Sequence, residues 1–295
     1  MRTDAFEASD TLLNFYIMQW RGRRESGNIE DRRGITGGHV AFGGIGGLII
    51  AAVVYFLGGN PSDVLQQPDQ SSQNGYTNNA NDTLEHYIGV VLADTEDVWD
   101  SLFNSMHRQY NKPTLVIFSG ETDAGCGYAS AATGPFYCPA DQKVYIDLSF
   151  ANELSERFGA SNGDFAMAYV LAHEVGHHVQ NLLGITEKMD RMRSQLSESE
   201  YNKLSVKLEL QADFLAGVWA HYDQKMKHVL DAGDVNEALS AANAVGDDRL
   251  QKEMQGRVVP DAFTHGTSEQ RMYWFKKGYS TGDLNQGDTF GDGSL

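Results

Sequence analysis

Residues 165–181 read FAMAYVLAHEVGHHVQN, and this stretch decides the fold. Apolar residues surround His173-Glu174-x-x-His177, and nothing in the run breaks a helix. Residues four apart share one helical face, so both imidazoles can reach a single metal ion. Two histidines plus one further protein ligand leave a coordination position for water, as a catalytic zinc requires. Glu174 projects beside that position, where its carboxylate can take a proton from the water. His178 lies about 100° further around the helix and is read as structural.

The third ligand must come from elsewhere. Glu209 and Asp213 stand four apart in the run LELQADFLA, within a second helical stretch over about 198–226. Charged groups amid apolar residues are costly unless each has a partner. Glu209 can complete a ligand set of two histidines and one glutamate. Asp213, one turn on, can accept the N–H of a ligand histidine and fix its tautomer. Ordinary ion pairs with Lys203 or Lys207 are the alternative.

Outward from these helices, hydrophobic spacing predicts a helix over 83–110, a strand over 114–118, and one or two strands over 136–148. A short helix over 150–158 and later helices over about 235–254 and 268–277 complete the reading. The expected class is α+β, mostly helical with a small early sheet. The chain has 295 residues, with 23 basic and 40 acidic side chains and a net charge of −17. That balance argues against a nucleic-acid binder, which needs a basic face.

Residues 40–59, VAFGGIGGLIIAAVVYFLGG, carry no charge. As a helix they would measure about 30 Å, the thickness of a hydrocarbon core. Arg21, Arg23, Arg24, Arg32 and Arg33 precede them, and no further Lys or Arg occurs until Arg108. The arginine-rich side is therefore expected in the cytoplasm, with the bulk of the chain periplasmic or extracellular. The expected organisation is a cytoplasmic tail 1–39 (Met18 being an alternative start), a single-pass transmembrane helix 40–59, and a flexible linker 60–82. A working domain 83–279 and a frayed Gly- and Asp-rich tail 280–295 follow. Cys126 and Cys138 lack metal-site spacing. Outside the cytoplasm they would form a disulfide closing a loop of about 13 residues, a contribution on the order of 3 kcal/mol; buried free thiols are the alternative.

HEVGHH, followed 32 residues after His177 by ELQAD and later by THGTSEQR (264–271), resembles the membrane-anchored bacterial family called "putative neutral zinc metallopeptidases" over about 18–277. The E-x-x-x-D element is similar to that of gluzincins, in which the Glu binds zinc and the Asp contacts the first motif histidine. The resemblance implies a zincin-like metallopeptidase domain with Zn2+ as cofactor. Its ligands would be His173, His177 and Glu209, its base Glu174, with Asp213 behind His173 and a peptide or protein as substrate. THGTSEQR is similar to the T-H-P-x-x-x-x-R element of heat-shock and CAAX-protease-like membrane peptidases. This implies His265 as a hydrogen-bond donor to the oxyanion and Arg271 as an orienting or structural group. The same residues can also cap the last helix through Thr267 or Ser268. As in gluzincins, a strand within 134–147 is expected to pair with an extended peptide. The expected activity is peptide-bond hydrolysis. The rival readings are a zinc-containing envelope binding or scaffold protein without proteolytic activity, and a zinc hydrolase acting on other amides.

Overall fold

The computed structural model describes residues 18–33, 78–160 and 164–291. In chain order the elements are β1 (Ile29–Asp31), α1 (Asn78–Ser105), β2 (Thr114–Phe118), the hairpin β3 (Glu121–Ala124) and β4 (Gly127–Ser130), β5 (Phe136–Cys138) and β6 (Lys143–Asp147). Helices then take over: α2 (Asp164–Leu182), α3 (Ile185–Arg193), α4 (Glu198–Lys227), α5 (Asp234–Ala244), α6 (Asp247–Gln255) and α7 (Ser268–Thr281). The α+β class and the small early sheet agree with the sequence reading.

The sheet runs β1-β2-β6-β5. Its first three strands are parallel, and β5 is antiparallel to β6. LVIF of β2 and VYI of β6 are apolar without alternation because both faces of these strands are covered. Leu115, Ile117, Val144 and Ile146 enter the main core, while Val116, Phe118, Tyr145 and Cys138 form a smaller cluster. A bond between Cys126 and Cys138 ties the turn of the β3–β4 hairpin to β5.

The helices surround α2, which is buried nearly all round, as a helix without a polar face must be. α4 packs along both α2 and α7. Its crossing with α7 depends on two glycines: a Cβ on Gly217 would collide with the Phe275 carbonyl, and one on Gly278 with the Phe214 carbonyl. α4 begins in a capping box, with Ser197 and Glu200 each satisfying the other's backbone N–H. α7 begins the same way with Thr267 and Gln270, which settles its cap on Thr267.

Several expectations are corrected. Residues 18–33 are not a tail apart from the domain. Met18 is buried, Gln19 N–H donates to the Val229 carbonyl at 3.0 Å, and β1 pairs with β2 from Ile29↔Leu115 to Asp31↔Ile117. Ion pairs fasten the segment to α1: Arg23 to Asp94 at 2.6 Å, Arg24 to Asp97 at 2.6 Å, and Arg33 to Glu85. The expected linker gives way to helix at Asn78. The tail is ordered through Gly291, with a 3-10 turn at Leu284–Gln286 and Thr289 fully buried. The helix expected over 235–254 is two, parted where Gly246 is extended. The expected transmembrane segment 40–59 lies outside the described residues. Among those described, no helix is long and apolar enough to cross a membrane.

Candidate active site

α2 presents His173 and His177 from consecutive turns, their ring centroids 4.8 Å apart. α4 comes close alongside because α2 carries glycine at 176; a Cβ there would stand 3.0 Å from the Ala212 carbonyl oxygen. Glu209 is thereby brought to both rings, with Oε2 3.1 Å from His173 Nε2 and Oε1 3.5 Å from His177 Nε2. The donor atoms of the three residues all lie within 4.8 Å of one another. Glu174 is buried beside them.

The tautomers are fixed from behind. His173 Nδ1 donates to Asp213 Oδ1 at 2.8 Å, and His177 Nδ1 donates to Gln180 Oε1 at 2.9 Å. Each ring is left with its Nε2 turned toward Glu209 and the cluster, and in the neutral form that atom would carry the lone pair a metal ligand needs. Without a metal a proton is favoured on that nitrogen: burial disfavours a charge on His173, yet Asp213 and Glu209 outweigh it and raise its pKa to about 10, and a metal ion would take the place of the Nε2 proton. Burial likewise opposes ionisation of Glu209, but the two histidines pull it well below the usual carboxylate range. The pocket thus draws positive charge between two imidazoles and a carboxylate, and this donor set fits zinc.

Behind His173 lies a buried network. Asp213, wholly inaccessible, accepts from Arg271 Nε at 2.8 Å, Arg271 Nη2 at 3.0 Å and the Tyr169 hydroxyl at 2.6 Å. Arg271 therefore orients Asp213, and Tyr169 is a member that the sequence reading missed.

His265 sits on the loop before α7, its side chain half exposed. Its Nδ1 lies 3.1 Å from Asp247 Oδ1. Asp247 Oδ2 also accepts the backbone N–H groups of Thr264, His265 and Gly266, at 2.7, 2.6 and 3.1 Å. One carboxylate at the start of α6 thus shapes the loop and aims its imidazole. Asp247 was also missed; the only signal was a Gly-Asp step inside a stretch that reads as one continuous helix.

His178 faces away from the cluster, as expected, and serves the sheet. Its Nε2 donates to the Asn111 carbonyl at 2.6 Å, and its Nδ1 accepts from the Tyr137 hydroxyl at 3.0 Å. This fastens β5, the strand at the end of the sheet order, to α2. Burial depresses the His178 pKa to about 4. The unfolded chain, with a pKa near 6.5, then binds the proton that the folded ring refuses, so stability falls as pH drops between those values. From pH 7 to pH 5 this group should remove about 2 kcal/mol of unfolding free energy. Urea titrations of the wild type and of His178→Gln should show a steeper loss in the wild type; parallel pH profiles would contradict it.

Two histidines one turn apart on a helix, and a carboxylate from a second helix, form a group that could hold a metal ion in a mainly helical domain. The chain belongs to the family described as "Putative neutral zinc metallopeptidase", whose pattern matches residues 18–290. It is similar to the uncharacterized protein YpfJ of Escherichia coli K12, with 49% identity over 286 residues, 93% of this chain and 99% of that one. An uncharacterized protein of Mycobacterium tuberculosis H37Rv shares 41% identity over 218 residues, 71% of this chain and 73% of its own. No solved structure matches the chain.

Proposed function

We propose that the protein is a zinc-dependent metallopeptidase that hydrolyses peptide bonds, with His173, His177 and Glu209 as ligands. The observation that carries this reading is the pairing of two Nε2-directed imidazoles and Glu209 with a separate buried carboxylate, Glu174, outside the donor set. A structural zinc site would saturate its positions with protein groups and have no use for that fourth side chain. A zinc ion bound here supplies Lewis acidity toward a carbonyl and lowers the pKa of water.

The chain's own residues do the rest. Glu174 takes the proton of the attacking water and returns it to the leaving amine. Burial lifts its pKa above the ordinary carboxylate value, the direction a base working near neutrality requires. His265, aimed by Asp247, donates a hydrogen bond to the oxyanion as it forms. β5, at the end of the sheet beside α2, offers a backbone edge on which an extended peptide can pair.

Attachment to a membrane through residues 40–59 and a location outside the cytoplasm belong to the same proposal; the Cys126–Cys138 bond supports the second. The test is cleavage of casein and of envelope peptides by the full-length chain. Cleavage should be abolished by a chelator and restored by stoichiometric zinc. A protein that holds zinc but cuts none of these substrates would overturn the peptidase reading in favour of a binding role.

A further inference from the structure

We propose that the C-terminal segment over 287–290 is a positioning element for the metal site, holding His177 in its ligating tautomer through Gln211 and Gln180. The inference rests on His177 being a ligand, as in the proposed function, and on a chain of four groups whose polarity can run only one way.

Gln180 is completely buried one turn beyond His177. Its Nε2 donates to the Leu208 carbonyl at 2.7 Å and to Gln211 Oε1 at 3.1 Å. Gln211 Nε2 in turn donates to the Gly287 carbonyl at 3.0 Å. A backbone carbonyl can only accept, so Leu208 and Gly287 dictate which end of each amide is nitrogen. With both Gln180 N–H groups engaged, Gln180 Oε1 faces His177 Nδ1 as an acceptor, and the proton must be on the imidazole. Nε2 of His177 is then the atom turned toward Glu209, and the one that would ligate a metal. A flipped Gln211 would set N–H against N–H at Gln180 and oxygen against oxygen at Gly287; the carbonyl of the C-terminal segment is what forbids the flip.

The segment is built to deliver that carbonyl. Gly287 lies so close to the Phe214 ring that any Cβ would collide with it. Thr289 is buried and its hydroxyl donates to the Lys207 carbonyl at 2.6 Å. Residues 287–289 therefore lie along the part of α4 that carries Glu209 and Asp213. A single helix bears one metal ligand, the acceptor behind His173, and, through Gln211, the final link behind His177.

The test uses the full-length chain and two readouts. Zinc affinity is measured by competition with a chromophoric chelator, and the His177 tautomer by its ring 15N shifts in zinc-free protein. Gln180→Leu should weaken zinc binding by about 10- to 100-fold. Gln211→Leu should weaken it by about 3- to 10-fold, the worth of one neutral hydrogen bond, and should mix the His177 tautomers. In the Gln180→Leu background, Gln211→Leu should add nothing, a result that mere damage to packing would not give. Unchanged affinity and tautomer in Gln211→Leu, or additive losses in the double variant, would overturn the relay. Should the wild type bind no zinc, the metallopeptidase reading fails, while the ring shifts still decide the relay separately.

Discussion

Glu174→Gln should keep its zinc and lose between about 100- and 10,000-fold in kcat, the range a positioned general base contributes. The donor set is His173, His177 and Glu209; Glu174 is outside it, so an amide of the same shape leaves zinc affinity intact. Gln cannot accept the proton of the attacking water at neutral pH, and its burial bars bulk water from supplying a substitute. Zinc content and steady-state kinetics on one preparation separate the two quantities. Normal turnover by Glu174→Gln would remove this residue from the mechanism, whereas lost zinc would make it a ligand.

Arg271→Met should cost about 3 to 5 kcal/mol of folding stability, the penalty for leaving one member of a buried ion pair behind. Asp213 is completely enclosed, and among the described residues Arg271 supplies the only full positive charge hydrogen-bonded to it besides a protonated His173. Burial by itself would raise the Asp213 pKa, but Arg271 and His173 bring it down to about 2. A folded-state pKa below the unfolded value of about 3.9 contributes stability above that value, which is lost as pH falls toward 2. Urea denaturation at neutral pH should reveal the loss, and the acid-side slope should flatten in Arg271→Met. A variant as stable as the wild type would show that Asp213 does not depend on its guanidinium. Zinc binding should weaken as well, because Asp213 is what directs His173.

The parts of the site that were legible in the sequence share one property: their spacing along a single helix. His173 with His177, and Glu209 with Asp213, are each four residues apart amid apolar neighbours, and helical geometry puts such pairs on one face. What joins the two pairs in space is the packing of α2 on α4 at Gly176, which no local pattern states. Asp247 escaped notice because 235–254 has an unbroken apolar period; the extended backbone at Gly246 becomes explicable only once the loop at 264–266 is seen to need an acceptor. Gln180 carries a signal in retrospect, an amide three residues after a ligand and buried on the same helix. The three-residue β1 is too short to alternate, and the ETDA and GYAS strands lack the apolar run that marked β2 and β6. Residues 280–291 have the composition of a frayed end, yet Leu284 and Thr289 find cover on the helices. Composition describes what a segment can do alone, not the surface that receives it.

Because β1 and β2 share a ladder, Ile29–Asp31 and Thr114–Phe118 can never be parted by a bilayer while the domain stays folded. Of the arginines before residue 40, Arg23 and Arg24 are held by acids of α1, and Arg33 by Asp31 and Glu85. Whichever compartment holds His173 and His177 therefore holds Met18 to Arg33 too.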